Sequence, residues 1–439
     1  TIATINPASR YVKNILSLLA YRCLLFLILP VLLLVLLVRS INHPEYRQRL
    51  TERLGFPPDS LKCGGIIVHA ASVGEVIALK AFIEKLLLAY PELPITLTTF
   101  TPTGSAQVKK LFGNRVQHCY FPLDVFCCSW LFLQRLKPKA LVVMETELWP
   151  NIVSQAANSQ IKLLLINGRL SAKSCRRYQK LTPLIAPCIN RFDSILCQSM
   201  DNKENFLRLG ALTEQCRVSG NLKFDISPSK EIESKRQELA QYLVNERPVW
   251  VFASTHPGDE DIAFTAFKQA LLSKPELLLV LVPRHPERFA QVAELCREQK
   301  LSLVRRTDKQ QLTAETQVWL LDTLGELMPT YALATVVTMG GSFSHIGGHN
   351  PLEPALFKKP VIVGPDMSNF SEVLQQLSNE QGIVQLDEST NFAEALAAQV
   401  LKLLSNSKQA KHLGDNAYKV VQANQGASQR TLEELQELM

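Results

Sequence analysis

Ile66-Ile67-Val68-His69-Ala70-Ala71-Ser72-Val73-Gly74-Glu75 is the stretch whose reading decides the fold. Three apolar β-formers run into small residues, and a helical pattern over 76–88 follows directly. The run predicts a strand, a tight turn and a helix with one carboxylate in its first turn. In open α/β sheets, ligands bind beyond the carboxyl ends of the strands. A helix N-terminus favours the ionised form of a nearby acid. Glu75 is therefore expected to be a charged, accessible base. The competing reading is a helix-terminal acid that only complements the dipole.

Outward from this unit the pattern repeats. Strands are expected at 66–68, 95–99, 141–144, 162–166 and 194–197, with helical stretches such as 76–88 and 152–160 between them. Apolar strands spaced by helices indicate a parallel sheet covered on both faces. Residues 226–247 are polar and charged, with Pro228 and Pro248 near the edges, and read as a partly helical connection. A second alternating series then places strands at 249–253, 277–282, 301–304, 318–321, 335–339 and 360–363, with helices such as 261–272 and 287–299. Residues 410–439 read as helical. The expected organisation is an anchor with a basic flank (1–52), a Rossmann-like domain (53–225), a linker (226–247), a second Rossmann-like domain (248–420) and a final helix (421–439) able to pack back on the first domain. Two doubly wound domains facing a cleft suit a ligand bound between them.

Upstream, residues 24–38 are apolar throughout apart from Pro30, and extension back to Leu16 gives a length that spans a bilayer at the cost of including Arg22. Val38-Arg39-Ser40-Ile41-Asn42-His43 is a poor cleavage site, so the segment reads as an uncleaved anchor. Arg39, Arg47, Arg49 and Arg53 follow it, against Arg10 and Lys13 before it. This bias places the body on the cytoplasmic side. A net charge of +7 and a pI near 8.8 suit an acidic or membrane-bound partner. No Lys/Arg block with interleaved aromatics supports nucleic-acid binding. The ten cysteines are scattered without a CxxC pair, which fits a reduced chain rather than a disulfide framework.

Several further turns carry chemistry. Met144-Glu145-Thr146-Glu147-Leu148-Trp149-Pro150-Asn151 follows an apolar strand, and Pro150 suits a first helical turn. Glu145 then sits at a strand end as Glu75 does, and two such acids can divide the roles of base and electrostatic partner. The alternative is that Glu145 and Glu147 only cap a helix. Ser171, in Asn167-Gly168-Arg169-Leu170-Ser171, is a plausible N-cap. Lys223, in Gly220-Asn221-Leu222-Lys223-Phe224-Asp225, can reach an anion. In the second series, Pro283-Arg284-His285-Pro286 offers a guanidinium fork for phosphate. Gly347-Gly348-His349-Asn350-Pro351-Leu352-Glu353 combines glycines with a helix start that attracts anions. Glu353 there can accept from ribose hydroxyls. The chain has no GxGxxG dinucleotide fingerprint, no P-loop and no histidine–carboxylate set at metal spacing.

Taken in order, Ser72-Val73-Gly74-Glu75, Glu145 through Asn151, Gly220 through Asp225, Pro283 through Pro286 and Gly348 through Glu353 resemble the 3-deoxy-D-manno-octulosonic acid (Kdo) transferases, membrane-anchored GT-B glycosyltransferases of lipopolysaccharide synthesis. The resemblance implies inverting transfer of Kdo from CMP-Kdo to a lipid A precursor, lipid IVA, at the cytoplasmic face of the bacterial inner membrane, without metal or cofactor. By motif match it implies Glu75 as general base, and Glu145 and Lys223 as groups that stabilise the transition state. CMP binding falls to Pro283, Arg284, Leu324, Gly325, Glu326, Asn350, Pro351, Leu352 and Glu353. Two other readings compete: a GT-B transferase using a different nucleotide sugar, and a non-catalytic, membrane-tethered nucleotide-binding protein.

Overall fold

The computed structural model describes residues 7–42, 44–225, 230–243, 247–388 and 391–439. They form two compact units. One runs up to Asp225 and takes up Asn424–Met439; the other is Ile226–Ala423.

The first unit is built on strands Ile66–His69 (β1), Ile95–Thr99 (β2), Gln117–Tyr120 (β3), Ala140–Met144 (β4), Lys162–Gly168 (β5), Ser194–Cys197 (β6) and Cys216–Val218 (β7). All neighbours pair in parallel, in the order β3-β2-β1-β4-β5-β6-β7. The winding starts at β1, runs out to β3, and then returns past β1 to β4 and onward. The order therefore reverses between β1 and β4, which is where such sheets open a crevice. Side-chain alternation divides the core. Ile66, Val68, Val142 and Met144 face one layer, and Ile67, Leu141 and Val143 face the other. The final helix, Ala427–Leu438, puts Ala427, Leu432 and Leu435 into the first of these layers. Asp225 holds its start by accepting from the Gly426 and Ser428 amides at 3.0 and 2.7 Å.

The second unit repeats the plan with Val249–Thr255 (β8), Leu278–Pro283 (β9), Leu303–Arg305 (β10), Val318–Leu320 (β11), Val336–Met339 (β12), Val361–Val363 (β13) and Val384–Gln385 (β14). The order is β10-β11-β9-β8-β12-β13-β14, again all parallel, with the reversal between β8 and β12. Trp250, Phe252, Phe264 and Phe267 are fully buried in its core.

The chain is thus α/β with two doubly wound sheets, and several details differ from the sequence pattern. β3, β7 and β14 were not anticipated. They are short and carry polar residues, as in Gln117-His118-Cys119-Tyr120, and each is the last strand at an edge of its sheet, where an apolar run is not required. The helix expected over 76–88 begins at Val73, because Ser72 caps it, and breaks at Leu79 into Val73–Ala78 and Lys80–Ala89. The helix expected over 410–439 is two helices, Ser407–Asn424 and Ala427–Leu438, parted at Gly426 with φ 85°. Within the expected linker, Lys230–Ala240 is helical, and 226–229 and 244–246 lie outside the described residues, as do 1–6 and 43 of the expected anchor segment.

The N-terminal helix, Pro7–Asn42, contains a stretch, Val12–Ile41, that is long and apolar enough to cross a membrane. Its exposure is not uniform. Partly covered residues recur at three- and four-residue spacing, including Ser17, Tyr21, Leu25, Ile28, Leu32 and Leu36. That spacing is one face of a helix. Phe26, Leu27, Val31 and Leu34 lie off that stripe and stay exposed.

Candidate active site

In the first unit, Glu75 lies just past β1 and Glu145 just past β4, so both flank the point where the strand order reverses. Glu75 is held firmly. Its carboxylate accepts from the Ser72 hydroxyl at 2.7 Å and from the Ala71 amide at 2.8 Å, and its own amide donates to Ser72 Oγ at 3.4 Å. Ser72 thus caps the helix, while the Glu75 carboxylate reaches back to the hydroxyl of the cap and to the amide one residue before it, a variant of the capping box that a Ser-x-x-Glu run favours. The expectation of a freely accessible, readily ionised acid is corrected here: Glu75 is only 8% exposed. Burial raises its pKa, with Glu147 adding to the rise and the two hydrogen bonds and Lys223 opposing it. Two of roughly four lone-pair sites on the carboxylate are in use, which leaves acceptor capacity for a substrate hydroxyl.

The turn 145–149 is constrained from both ends. Glu145 adopts φ 58°, and its amide donates to Ile166 of β5 at 2.9 Å. A left-handed conformation at a non-glycine residue is uncommon and clusters at functional sites. Glu147 is bonded by Trp149 Nε1 at 2.8 Å, and its pKa is raised by burial and by Glu145. The Trp149 ring meets Phe100 at 5.4 Å, and Phe100 and His69 pack on Phe121. Trp149 supplies no side-chain cap to the helix Pro150–Asn158 that follows. Buried Asp124 does so instead, accepting from the amides of Asn151 at 2.9 Å and Ile152 at 2.8 Å. Lys223 is placed by a second buried network. Asn167 Oδ1 accepts from the Leu222 amide at 2.9 Å, and Asn221 Oδ1 accepts from the Lys223 amide at 3.0 Å. Glu75, Glu147 and Lys223 thereby come within electrostatic reach of one another, with Glu145 beside Glu147. Ser171 caps its helix as the sequence suggests, through the Ser174 amide at 3.1 Å.

In the second unit the loops after β8 and β12 flank the other reversal. Gly340 sits so close to β8 that a Cβ there would lie 2.6 Å from Ser254 O. Asp259 bridges the two loops by accepting from the His256 amide at 2.8 Å and the Gly341 amide at 2.7 Å. His256 and His349 stack with ring centroids 5.1 Å apart and share a 2.9 Å hydrogen bond between their Nε2 atoms. One ring donates and the other accepts, so at least one is neutral. Burial and the neighbouring cations, Arg284 among them, lower both, His256 to about 4 and His349 to about 3. Arg284 follows β9 with its side chain exposed and its amide bonded to Thr255 O at 3.0 Å. Its charge acts on His256, His349 and Glu353 alike. Burial pushes the Glu353 carboxyl up to about 7 against the pull of Arg284.

The remaining expected donor residues are arranged less simply. Pro351 does not open a long helix. It precedes the five-residue helix Leu352–Leu356, and Asn350 Oδ1 already accepts from the Leu352 amide at 3.1 Å. Pro283 ends β9. Leu324 is exposed, Gly325 takes φ 82°, and Glu326 is paired with Arg306 at 2.9 Å rather than turned to Arg284. These three residues lead into the helix Leu327–Leu333, whose buried Tyr331 lies within electrostatic reach of Glu353 and Arg284. Among the described residues no group of three or more His, Cys, Asp or Glu side chains is arranged to hold a metal ion.

Four features escape a reading of the sequence alone: the reach of Glu147 to Glu75, the cap supplied by Asp124, the bridging role of Asp259 and the His256–His349 pair. Glu147 was legible only in outline, as an acid two residues from a tryptophan. The other three join residues far apart in the chain, with no local motif.

Comparison with known proteins bears on the family and the fold. The family described as 3-Deoxy-D-manno-octulosonic-acid transferase (kdotransferase) matches residues 48–226. A 3-deoxy-D-manno-octulosonic acid transferase of Haemophilus influenzae is 40% identical over 419 residues, covering 94% of this chain and 96% of its own. One from Rickettsia bellii is 28% identical, covering 92% of this chain and 96% of its own. A solved glycosyltransferase from Rickettsia africae has a similar fold, with a TM-score of 0.51 at 13% identity over 86% of this chain and 98% of its own.

Proposed function

The chain belongs to the Kdo transferase family of lipopolysaccharide synthesis, and from that premise we propose that it moves Kdo from CMP-Kdo to a hydroxyl of a lipid A precursor, lipid IVA, with inversion and without a metal ion. The observation that carries the proposal is the placing of Glu75, Glu147 and Lys223 together at the strand-order reversal of the first unit.

Each residue has a physical task in this reaction. The acceptor oxygen attacks the anomeric carbon of Kdo, the bond from that carbon to the CMP phosphate oxygen breaks, and CMP leaves with the electron pair. Glu75 takes the proton from the attacking hydroxyl. Its raised pKa brings a carboxylate closer to the operating pH, where a general base works best. The anomeric carbon gains positive character as CMP departs, and nearby carboxylates such as Glu145 and Glu147 favour that charge. Lys223 offsets the crowding of acids around Glu75 and helps balance the developing anionic charge. In the second unit, Arg284 and the loop 347–353 would receive CMP, whose single phosphate carries less charge than a diphosphate. An arginine and backbone amides of this unit suffice to balance it. Pro283, Leu324, Gly325 and Glu326 are assigned to the same nucleotide. The apolar N-terminal helix would hold the enzyme at the cytoplasmic face of the inner membrane, which concentrates it with a lipid acceptor.

Incubation of the full chain with CMP-Kdo and lipid IVA, followed by mass analysis, should show lipid carrying added Kdo. An unchanged lipid would refute the assignment. CMP should compete with the donor and UDP should not; the reverse would favour a different nucleotide sugar. Replacement of Arg284 by Ala removes the charge-assisted hydrogen bonds available to the phosphate. It should weaken CMP binding about 10- to 100-fold, as measured by calorimetry.

A further inference from the structure

Asp124 ties together three parts of the first unit that have no sequence relation. It is 4% exposed. Its Oδ2 accepts from the Asn151 amide and, at 2.9 Å, from the Tyr21 hydroxyl. Its Oδ1 accepts from the Ile152 amide and from Ser129 Oγ at 3.2 Å. Its backbone oxygen accepts from Asn151 Nδ2 at 2.6 Å. Asn151 is fully buried, and its remaining side-chain oxygen accepts from Arg22 Nε at 2.9 Å. The Arg22 guanidinium also lies 4.5 Å from the centre of the Phe126 ring. Tyr21 and Arg22 belong to the N-terminal helix, and Asn151 and Ile152 begin the helix that follows the turn bearing Glu145 and Glu147.

A tether has no need of these bonds. A helix that only concentrates an enzyme at a membrane works equally well on a slack connection. Here the helix is seated, and its partly covered stripe continues along the same face from Ser17 to Leu36. Tyr21 and Arg22 are spent on the carboxylate and amide that fix the end of the turn 145–149. We propose that the N-terminal helix is a working part of the acceptor-side active site as well as its membrane attachment, with Tyr21 and Arg22 acting as positioning residues that hold Glu145 and Glu147 through Asp124 and Asn151. The inference rests on the assignment of Kdo transfer to this site.

The test uses the full chain reconstituted in lipid vesicles with two acceptors: lipid IVA in the same vesicles, and a deacylated, water-soluble form of the same sugar. The variants are Tyr21→Phe, Arg22→Met and the double substitution. Holding geometry is worth one to two orders of magnitude in rate when it slips by about an ångström. The double variant should therefore lose about 10- to 100-fold in kcat on both acceptors, with the KM for CMP-Kdo unchanged. If it matches the parent on the soluble acceptor, or is impaired only on lipid IVA, the helix is a tether alone and the inference is overturned. A parent chain inactive on both acceptors refutes the transfer assignment instead. Tyr21→Phe removes a single oxygen and keeps the comparison open should the double variant fail to fold, as reported by its melting curve and CMP binding.

Discussion

Glu75→Gln should reduce Kdo transfer about 10²- to 10⁴-fold, the range that a positioned general base supplies, while CMP binding stays at the parental level. Gln is the informative replacement. Its carbonyl can still accept from the Ala71 amide and its NH₂ group can donate to Ser72 Oγ, so both capping contacts have a substitute. What it cannot do is take a proton. Retention of the parental rate would remove Glu75 from the mechanism and leave it as a helix cap.

The pH dependence gives a second measurement on the same residue. The folded protein raises the Glu75 pKa above its ordinary value of 4.5. Transfer should therefore fall, as pH is lowered, through an apparent pKa above 4.5, and that limb should vanish in Glu75→Gln. The stability contribution runs the other way. A carboxyl that is harder to ionise in the folded state stabilises the fold fully below the unfolded pKa. That contribution is lost as pH rises through the folded pKa. The site thus favours the proton at low pH and becomes ready for catalysis as the proton leaves.

Arg288→Met should destabilise the second unit by about 3–5 kcal/mol, the cost of leaving a buried charge without its partner. Glu260 is 1% exposed and takes Arg288 through two bonds of 2.6 and 3.1 Å, with Thr255 donating a third at 2.7 Å. Replacement of both ion-pair partners, Glu260→Met with Arg288→Met, should cost far less, because no charge remains to be buried. Denaturant unfolding of the full chain, followed by Trp250 and Trp319 in this unit, separates the two cases. A single variant as stable as the double would show that Glu260, left without its partner, carries no penalty. Glu260 adjoins Asp259, which joins the loops after β8 and β12, so the single variant should also regain stability as CMP is added, in proportion to RT ln(1 + [L]/Kd).

Much of this architecture was legible from periodicity. The apolar runs at β1, β4, β5, β8, β9 and β12 lie in or next to the middle of their sheets, where both faces are buried and the sequence has no freedom to be polar. The edge strands β3, β7 and β14 lack that constraint and left no pattern. Glu75 was legible as a residue but not as an environment. Ser72 three positions before it marks a helix start with the acid turned back on it, but the local pattern does not show the packing that leaves Glu75 only 8% exposed. Contacts made across the fold were harder still. Asp124 follows β3 in an unremarkable Pro-Leu-Asp run, and only the topology brings it to the start of Pro150–Asn158. His256 and His349 stand 93 positions apart in the chain. The sequence shows glycines and prolines beside them, but not that the two rings meet.

The helix Ala427–Leu438 completes a core that begins at Ile66. During translation, Ile226–Ala423 must emerge from the ribosome before that helix exists. At 5–20 residues per second this takes roughly 10–40 s. Through that interval Ile66, Val68, Leu164 and Leu222 share a layer that still lacks Ala427, Leu432 and Leu435. The unit made first is therefore finished last. A nascent chain stalled ahead of Asn424 should leave it open to protease until the final residues are released.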